Sequence, residues 1–187
     1  MITKLKSHTI ADWDAIPYRE GYRYEIIEGE LFVSCSPGLT HQIVSDNLNF
    51  LIRSYLQSSP IGRVVSTPGL ILSDLSGVIP DLVFFANEQR DSIITGERLI
   101  GPPALAIEIV SPGYANINRD RVAKLRLYTK YGVPEYWIID PQNLTIERYV
   151  DDGSSLSLAE TLRETDSLVI AALPGFSCDV SEIFRQF

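Results

Sequence analysis

The chain has 187 residues, 45% of them apolar and 21% charged, a composition that excludes a disordered or membrane-spanning protein and fits one globular domain, residues 1–187. Its 16 Lys and Arg stand against 24 Asp and Glu, a net charge of −8 that argues against a surface coated in basic residues for long, non-specific nucleic-acid contact. No stretch nears the roughly 18 unbroken apolar residues of a spanning helix. The N-terminus carries two lysines with no apolar run or small-residue cleavage site behind them, so a cytoplasmic protein without membrane attachment is expected. Cys35 and Cys178 are far apart and in no C-x-x-C spacing, which suits a reducing compartment and supplies no disulfide framework. With only two histidines and two cysteines, a structural zinc site would have to borrow carboxylates, so hard, oxygen-liking metals fit better.

Residues 12–17 read as a short capped helical turn, and Tyr22 to Ile27 then alternates as a strand. Glu28-Gly29 predicts a hairpin turn into Glu30 to Ser34. After Ser36-Pro37-Gly38, the residues Ile43, Val44, Leu48, Leu51, Ile52 and Tyr55 recur at helical spacing and predict a long helix from Leu39 to Leu56. Two short strands, Arg63 to Thr67 and Gly69 to Ser73, precede the apolar run from Ile79 to Phe85, and a polar stretch from Asn87 to Pro103 leads to a strand from Ala104 to Val110. A second helix is expected from Asn118 to Tyr131, stopping at Gly132, where a glycine is favoured. Glu135 to Pro141 and Leu144 to Val150 are further strands joined by a Pro-Gln-Asn turn, and the tail from Asp151 alternates only weakly.

The chemistry lies in two acidic residues. Asp81 opens one apolar strand and Glu108 lies inside the next, positions where a carboxylate is costly to bury unless a cation or hydrogen bonds compensate it. They sit near opposite ends of their strands, so they meet only if those strands pair antiparallel. In that arrangement both can ligate Mg2+ (or Mn2+), with the Ile109 carbonyl completing the protein shell and waters left for phosphate and nucleophile. The alternatives are a turn residue after Pro80 for Asp81 and a buried ion pair for Glu108.

Lys124 shares a helix face with Leu127, Tyr128 and Tyr131, at i, i+3, i+4 and i+7, and Asp120 and Arg121 lie one turn earlier near that face. Its ammonium either reaches the carboxylates, where it can orient water or stabilise charge growing on a phosphate, or snorkels out of the apolar stripe. Residues 114–131 hold Arg119, Arg121, Lys124, Arg126 and Lys130 against Asp120 alone, a local +4 that leaves −12 for the rest of a chain whose net charge is −8. Such a segment is a phosphate-binding helix or a solvated helix face.

The segments Tyr24 to Leu31, His41-Gln42, Pro80-Asp81-Leu82, Glu108 to Pro112, Asp120-Arg121 with Lys124, and Tyr131 to Pro141 together resemble the Uma-type endonucleases. That family is a branch of the PD-(D/E)XK, restriction endonuclease-like superfamily. The resemblance covers nearly the whole chain. It implies an α/β (α+β) fold, with a mixed β-sheet flanked by helices and an N-terminal β-hairpin. It also implies Asp81 and Glu108 as metal ligands and metal-dependent cleavage of DNA. In the superfamily pattern a lysine follows the second acid by two residues; here that position is Val110, and the Uma-type pattern takes the cation from Lys124 instead. Glu30 and His41 match further polar positions of the family, with an edge-strand carboxylate and a helix-entry polar residue as the alternative readings.

Three functional classes follow: a metal-dependent nuclease, a nuclease fold without catalysis that serves as a binding or oligomerisation module, and a cysteine hydrolase using Cys35 and His41. Nothing around Cys35 specifies a nucleophile turn or oxyanion hole, and fold alone does not separate the first two. Cutting of palindromic DNA would suit a two-fold homodimer.

Overall fold

The structure is a computed structural model that describes residues 7–186. Its first half runs α1 (Ile10–Asp14), β1 (Tyr22–Ile27), β2 (Glu30–Cys35), α2 (Leu39–Ser58), β3 (Gly62–Ser66), β4 (Leu70–Ser73), β5 (Ser76–Val78), β6 (Leu82–Ala86) and α3 (Arg90–Ile93). There follow β7 (Ile94–Thr95), β8 (Arg98–Ile100), β9 (Leu105–Ile109), α4 (Tyr114–Asn118), a π-helical stretch (Arg119–Lys124) and α5 (Leu125–Lys130). The chain then forms β10 (Glu135–Asp140), β11 (Thr145–Asp151), β12 (Leu156–Arg163), β13 (Ser167–Val169), β14 (Ser177–Asp179) and α6 (Val180–Phe184).

The main sheet has the order β12-β11-β10-β9-β6-β3, and a second sheet the order β2-β1-β5-β4-β8-β7. In the main sheet β9 and β10 are parallel, joined by the helical segment that crosses over between them, and the other pairs are antiparallel. The fold is thus the expected mixed α and β architecture. The N-terminal hairpin is not a separate appendage: it forms one end of the second sheet through the pairing of β1 with β5. The weakly patterned tail also supplies more than expected, since β12 continues the main sheet and α6 closes a core.

β9 and β10 are buried along their whole lengths, as strands covered on both faces must be. Their residues divide by parity. Leu82, Phe84, Leu105, Ile107, Ile109, Trp137 and Ile139 join α2 and α6 in one core. Val83, Phe85, Ala106, Val110, Tyr136 and Ile138 join α5 and residues of the second sheet in the other. Asp81 and Glu108 share the parity of this second set, so both are directed toward the layer that contains β1 and the crossover helix.

The crossover helix begins at Tyr114, four residues before its expected start, and its middle third is π-helical. Its end follows the expected glycine rule. Gly132 has φ +71°, the Val133 N–H donates to the Tyr128 carbonyl at 3.0 Å and the Gly132 N–H to the Thr129 carbonyl at 3.2 Å, the paired bonds of a Schellman cap. A Cβ at Gly132 would meet no atom within 4 Å, so only the left-handed backbone opposes a side chain there. Gly132→Ala is therefore expected to lower stability by about 1 kcal/mol, read by denaturant unfolding, with an unchanged m-value.

Candidate active site

The antiparallel pairing of β6 with β9 sets Leu82 opposite Ile107. One further step in the same register sets Asp81 beside Glu108, which meets the condition the sequence imposed. Asp81 Oδ2 accepts the Ile109 N–H at 2.8 Å and lies 3.0 Å from His41 Nε2, while Oδ1 accepts from Arg23 Nη1 at 3.1 Å. Glu108 Oε1 accepts from Lys124 Nζ at 2.8 Å and from the Tyr128 hydroxyl at 3.1 Å. Asp81, Glu108 and Lys124 are 3%, 2% and 1% exposed. They form one buried cluster and do not line an open pocket. A cavity of about 260 Å³ shares His41 with the cluster and is otherwise lined by residues such as Thr40, Val110 and Ser111.

Lys124 is held by more than Glu108. Its Nζ also lies 2.8 Å from Glu25 Oε1 and 3.9 Å from Asp120 Oδ1. Glu25 Oε1 accepts the Ile79 N–H at 2.7 Å, and Arg119 grips both oxygens of Asp120 at 2.8 and 3.2 Å while its Nε lies 3.6 Å from Glu25. Four carboxylates, Glu25, Asp81, Glu108 and Asp120, thus share three fixed cations, Arg23, Arg119 and Lys124. The His41 imidazole, 3.0 Å from Asp81 Oδ2, is a fourth group of the cluster that can carry positive charge.

Burial and the contacts within the cluster set the protonation states. Burial raises every carboxyl here by disfavouring its charged form. At Asp81 this is outweighed by the His41 hydrogen bond and charge, by Arg23 and by the Ile109 N–H, which hold it down at about 2. At Glu25 burial is outweighed by Lys124 and Arg119, so its pKa is also lowered. Glu108 is pushed up to about 8, because burial, with Asp81, Asp120 and Glu25 nearby, exceeds the attraction of Lys124. Asp120 is raised too, chiefly by burial. Lys124 stays protonated: burial opposes its charge, but the three carboxylates raise its pKa. Glu108 is thus the carboxyl whose charged form is most disfavoured, chiefly by burial.

The donor set suits a hard cation. Asp81 and Glu108 offer carboxylate oxygens, and Ile109 adds a main-chain carbonyl. Among the described residues no three His, Cys, Asp or Glu side chains gather in a metal-holding arrangement, so an ion held by these two acids would take its remaining oxygens from main chain, water or ligand, as Mg2+ does.

The other candidates divide. His41, buried near the start of α2, is in the cluster through Asp81, and its Nδ1 is buried without a hydrogen-bond partner. Asp120 is in the cluster. Arg121 is not: it pairs with Glu147 and, at 3.3 Å, with Asp140. Glu30 is exposed at the start of β2. Cys35 is exposed, no hydrogen bond joins it to His41, and the imidazole is engaged with Asp81, so the cysteine hydrolase reading lacks its dyad. The charge of the basic helix is largely taken up within the chain: Arg119, Arg121, Lys124 and Lys130 are paired with its acids, while Arg126 lies exposed.

Glu25, Arg23 and Tyr128 are members that the strand and helix patterns did not single out. A signal was present for the first two. Arg23, Glu25 and Ile27 alternate on one face of β1, and the buried Ile27 belongs to the second core, so that face turns inward with both charges on it.

The surplus proton gives a testable pH dependence. A carboxyl at about 8 in the folded protein, against 4.5 unfolded, binds more protons folded than unfolded between those values, so stability falls as pH rises through that window by about 1.4 kcal/mol per pH unit. In EDTA, Glu108→Gln, which keeps the neutral shape, is expected to flatten this slope and to exceed the wild type in stability above pH 8, with the two converging near pH 4.5. Urea unfolding across pH measures it.

No curated protein matches the chain. A solved structure described as a putative nuclease belonging to DUF820 from Anabaena variabilis superposes with TM-score 0.73 at 19% identity, over 94% of this chain and 97% of that one, which shows the shared fold. The type IIG restriction endonuclease BpuSI matches at TM-score 0.40 and 17% identity, over 77% of this chain and 15% of that one, too loosely to add to the argument. Residues 10–181 match the family Uma2, described as "Putative restriction endonuclease", and the chain belongs to that family.

Proposed function

We propose that the protein is a metal-dependent endonuclease that hydrolyses DNA phosphodiester bonds, with Asp81, Glu108 and the Ile109 carbonyl as ligands of Mg2+ or Mn2+. The observation that carries this reading is the convergence of four buried carboxylates on Arg23, Arg119, Lys124 and His41, where the strand register sets Asp81 beside Glu108. A divalent ion, when bound, supplies Lewis-acid polarisation of the phosphate and acidifies water.

The chain's own residues supply the rest. Arg23, His41 and the Ile109 N–H fix the orientation of Asp81 and keep it ionised. Lys124 holds Glu108 in place and brings a permanent positive charge to the position where negative charge develops on the phosphate. The lysine that the superfamily pattern puts two residues after the second acid is replaced by one from the crossover helix that reaches the same carboxylate. A two-fold dimer would present two such centres to the equivalent strands of a symmetric site.

A second reading, a nuclease fold without catalysis, is favoured by one observation: Asp81 and Glu108 are 3% and 2% exposed, so substrate can reach them only if the layer above them opens.

Purified protein with Mg2+ or Mn2+ is expected to cleave duplex or single-stranded DNA and to stop in EDTA. Asp81→Asn and Glu108→Gln keep the shape of the cluster and should each reduce the cleavage rate at least about 100-fold while unfolding cooperatively. Calorimetry should find weak Mg2+ binding to the wild type without DNA and none to either variant. A well-folded wild type that cleaves no DNA across varied substrates in either metal would assign the protein to the non-catalytic reading.

A further inference from the structure

Among the described residues, seven cations are consumed by acids of the chain: Arg23, Arg98, Arg119, Arg121, Lys124, Lys130 and Arg148 all sit in ion pairs. Arg53 on α2, Arg63 on β3 and Arg90 at the start of α3 are exposed, and among the described residues no carboxylate pairs with them. They are also neighbours. Arg53 and Arg63 line one cavity of about 430 Å³, and Arg63 and Arg90 line another of about 480 Å³. A third, of about 370 Å³, continues along α2 past Arg53 and includes Asp46, the only acidic side chain lining any of the three.

Leaving three guanidinium groups clustered and unpaired costs mutual repulsion, while the chain has 24 acidic residues from which to neutralise them. An external polyanion resolves the repulsion.

Two of the three elements that carry this strip, β3 and α2, run into the candidate centre. β3 is the outermost strand of the main sheet, and the residue after it, Thr67, donates its N–H to the Asp81 carbonyl at 3.0 Å. Arg63 lies four residues before Thr67, about 13 Å at strand rise. On α2, Arg53 lies twelve residues beyond His41, about 18 Å at helical rise. We propose that Arg53, Arg63 and Arg90 form the track along which the sugar-phosphate backbone of DNA lies as it enters the Asp81–Glu108 centre. The inference rests on the nuclease reading for its substrate class. A span of that length covers about four or five nucleotides of a duplex strand at 3.4 Å each.

The test is binding without metal, so that it does not depend on cleavage. Fluorescence anisotropy of a labelled DNA duplex in EDTA is compared between the wild type and a variant carrying Arg53→Gln, Arg63→Gln and Arg90→Gln, over a series of salt concentrations. The variant should bind at least about tenfold more weakly at low salt, and the slope of log affinity against log salt should become shallower by about three. Its melting temperature should not change, since all three side chains are exposed. Equal affinity and equal slope in the two proteins would overturn the track and leave the nuclease reading intact, because cleavage is judged on Asp81 and Glu108. No binding by the wild type at low salt would also overturn it. So would a concentration-dependent dimer that the variant abolishes without any effect on DNA, which would give the β3 edge to a second copy of the chain.

Discussion

The interaction on which the rest of the structure depends is the burial of the Lys124 ammonium among Glu25, Glu108 and Asp120. These partners come from three places: the second sheet, the main sheet and the crossover helix itself. One cation therefore fastens both sheets to the helix between them. Buried ion pairs add little net stability relative to apolar packing, but breaking one strands the other charge at a cost of about 3–5 kcal/mol. Here the stranded charges would be several buried carboxylates, so register errors in any of the three elements are penalised together.

The same constraint explains the distribution of charge. A chain with a net charge of −8 nevertheless concentrates its cations on residues 119–130. The structure accounts for this concentration by internal demand: the helix crosses over a sheet whose inward face carries acids, and its basic residues meet those acids. Arg119 and Lys124 face the cluster, Arg121 reaches Glu147 and Asp140 on the strands beyond, and Lys130 reaches Glu28 in the hairpin turn. The π-helical stretch falls at Arg119–Lys124, where one turn must deliver both Asp120 and Lys124 into the same buried space, and such distortions are frequent where helices serve functional positions.

Much of this was legible in the sequence because it follows from periodicity. The apolar runs around Asp81 and Glu108 announced two buried strands, the three-four spacing of Lys124 with Leu127 and Tyr128 placed the lysine on the inward face, and Gly132 marked the helix end. What the patterns left out is non-local. Glu25 lies in a strand whose two faces both read as mixed, and only the pairing of β1 with β5 brings it beneath the crossover helix, 99 residues before Lys124. The fate of the basic helix was equally hidden. A run of arginines and lysines reads alike whether it faces solvent, phosphate or its own chain's acids, and the acids that answer it come from β1, β9, β10 and β11. The short strands of the second sheet and the tail gave weak signals because strand assignment there depends on partners and not on local propensity.

One consequence of this architecture is that structural and chemical roles fall on the same atoms. Glu108 ends a buried ion pair and is also the carboxylate placed beside Asp81, and Lys124 both joins the layers and carries the charge that a phosphate would meet. Truncation at either position removes a fold constraint along with the chemistry, so loss of activity in an alanine variant could not separate the two. Amide replacements can, because they keep side-chain shape while removing charge. At Glu108 the amide resembles the protonated acid that burial already favours, and at Asp81 it removes a charge that Arg23 and His41 hold in place. The two carboxylates therefore differ in kind: Asp81 is held ionised by Arg23, His41 and the Ile109 N–H, whereas burial pushes Glu108 toward its protonated form despite Lys124 at 2.8 Å.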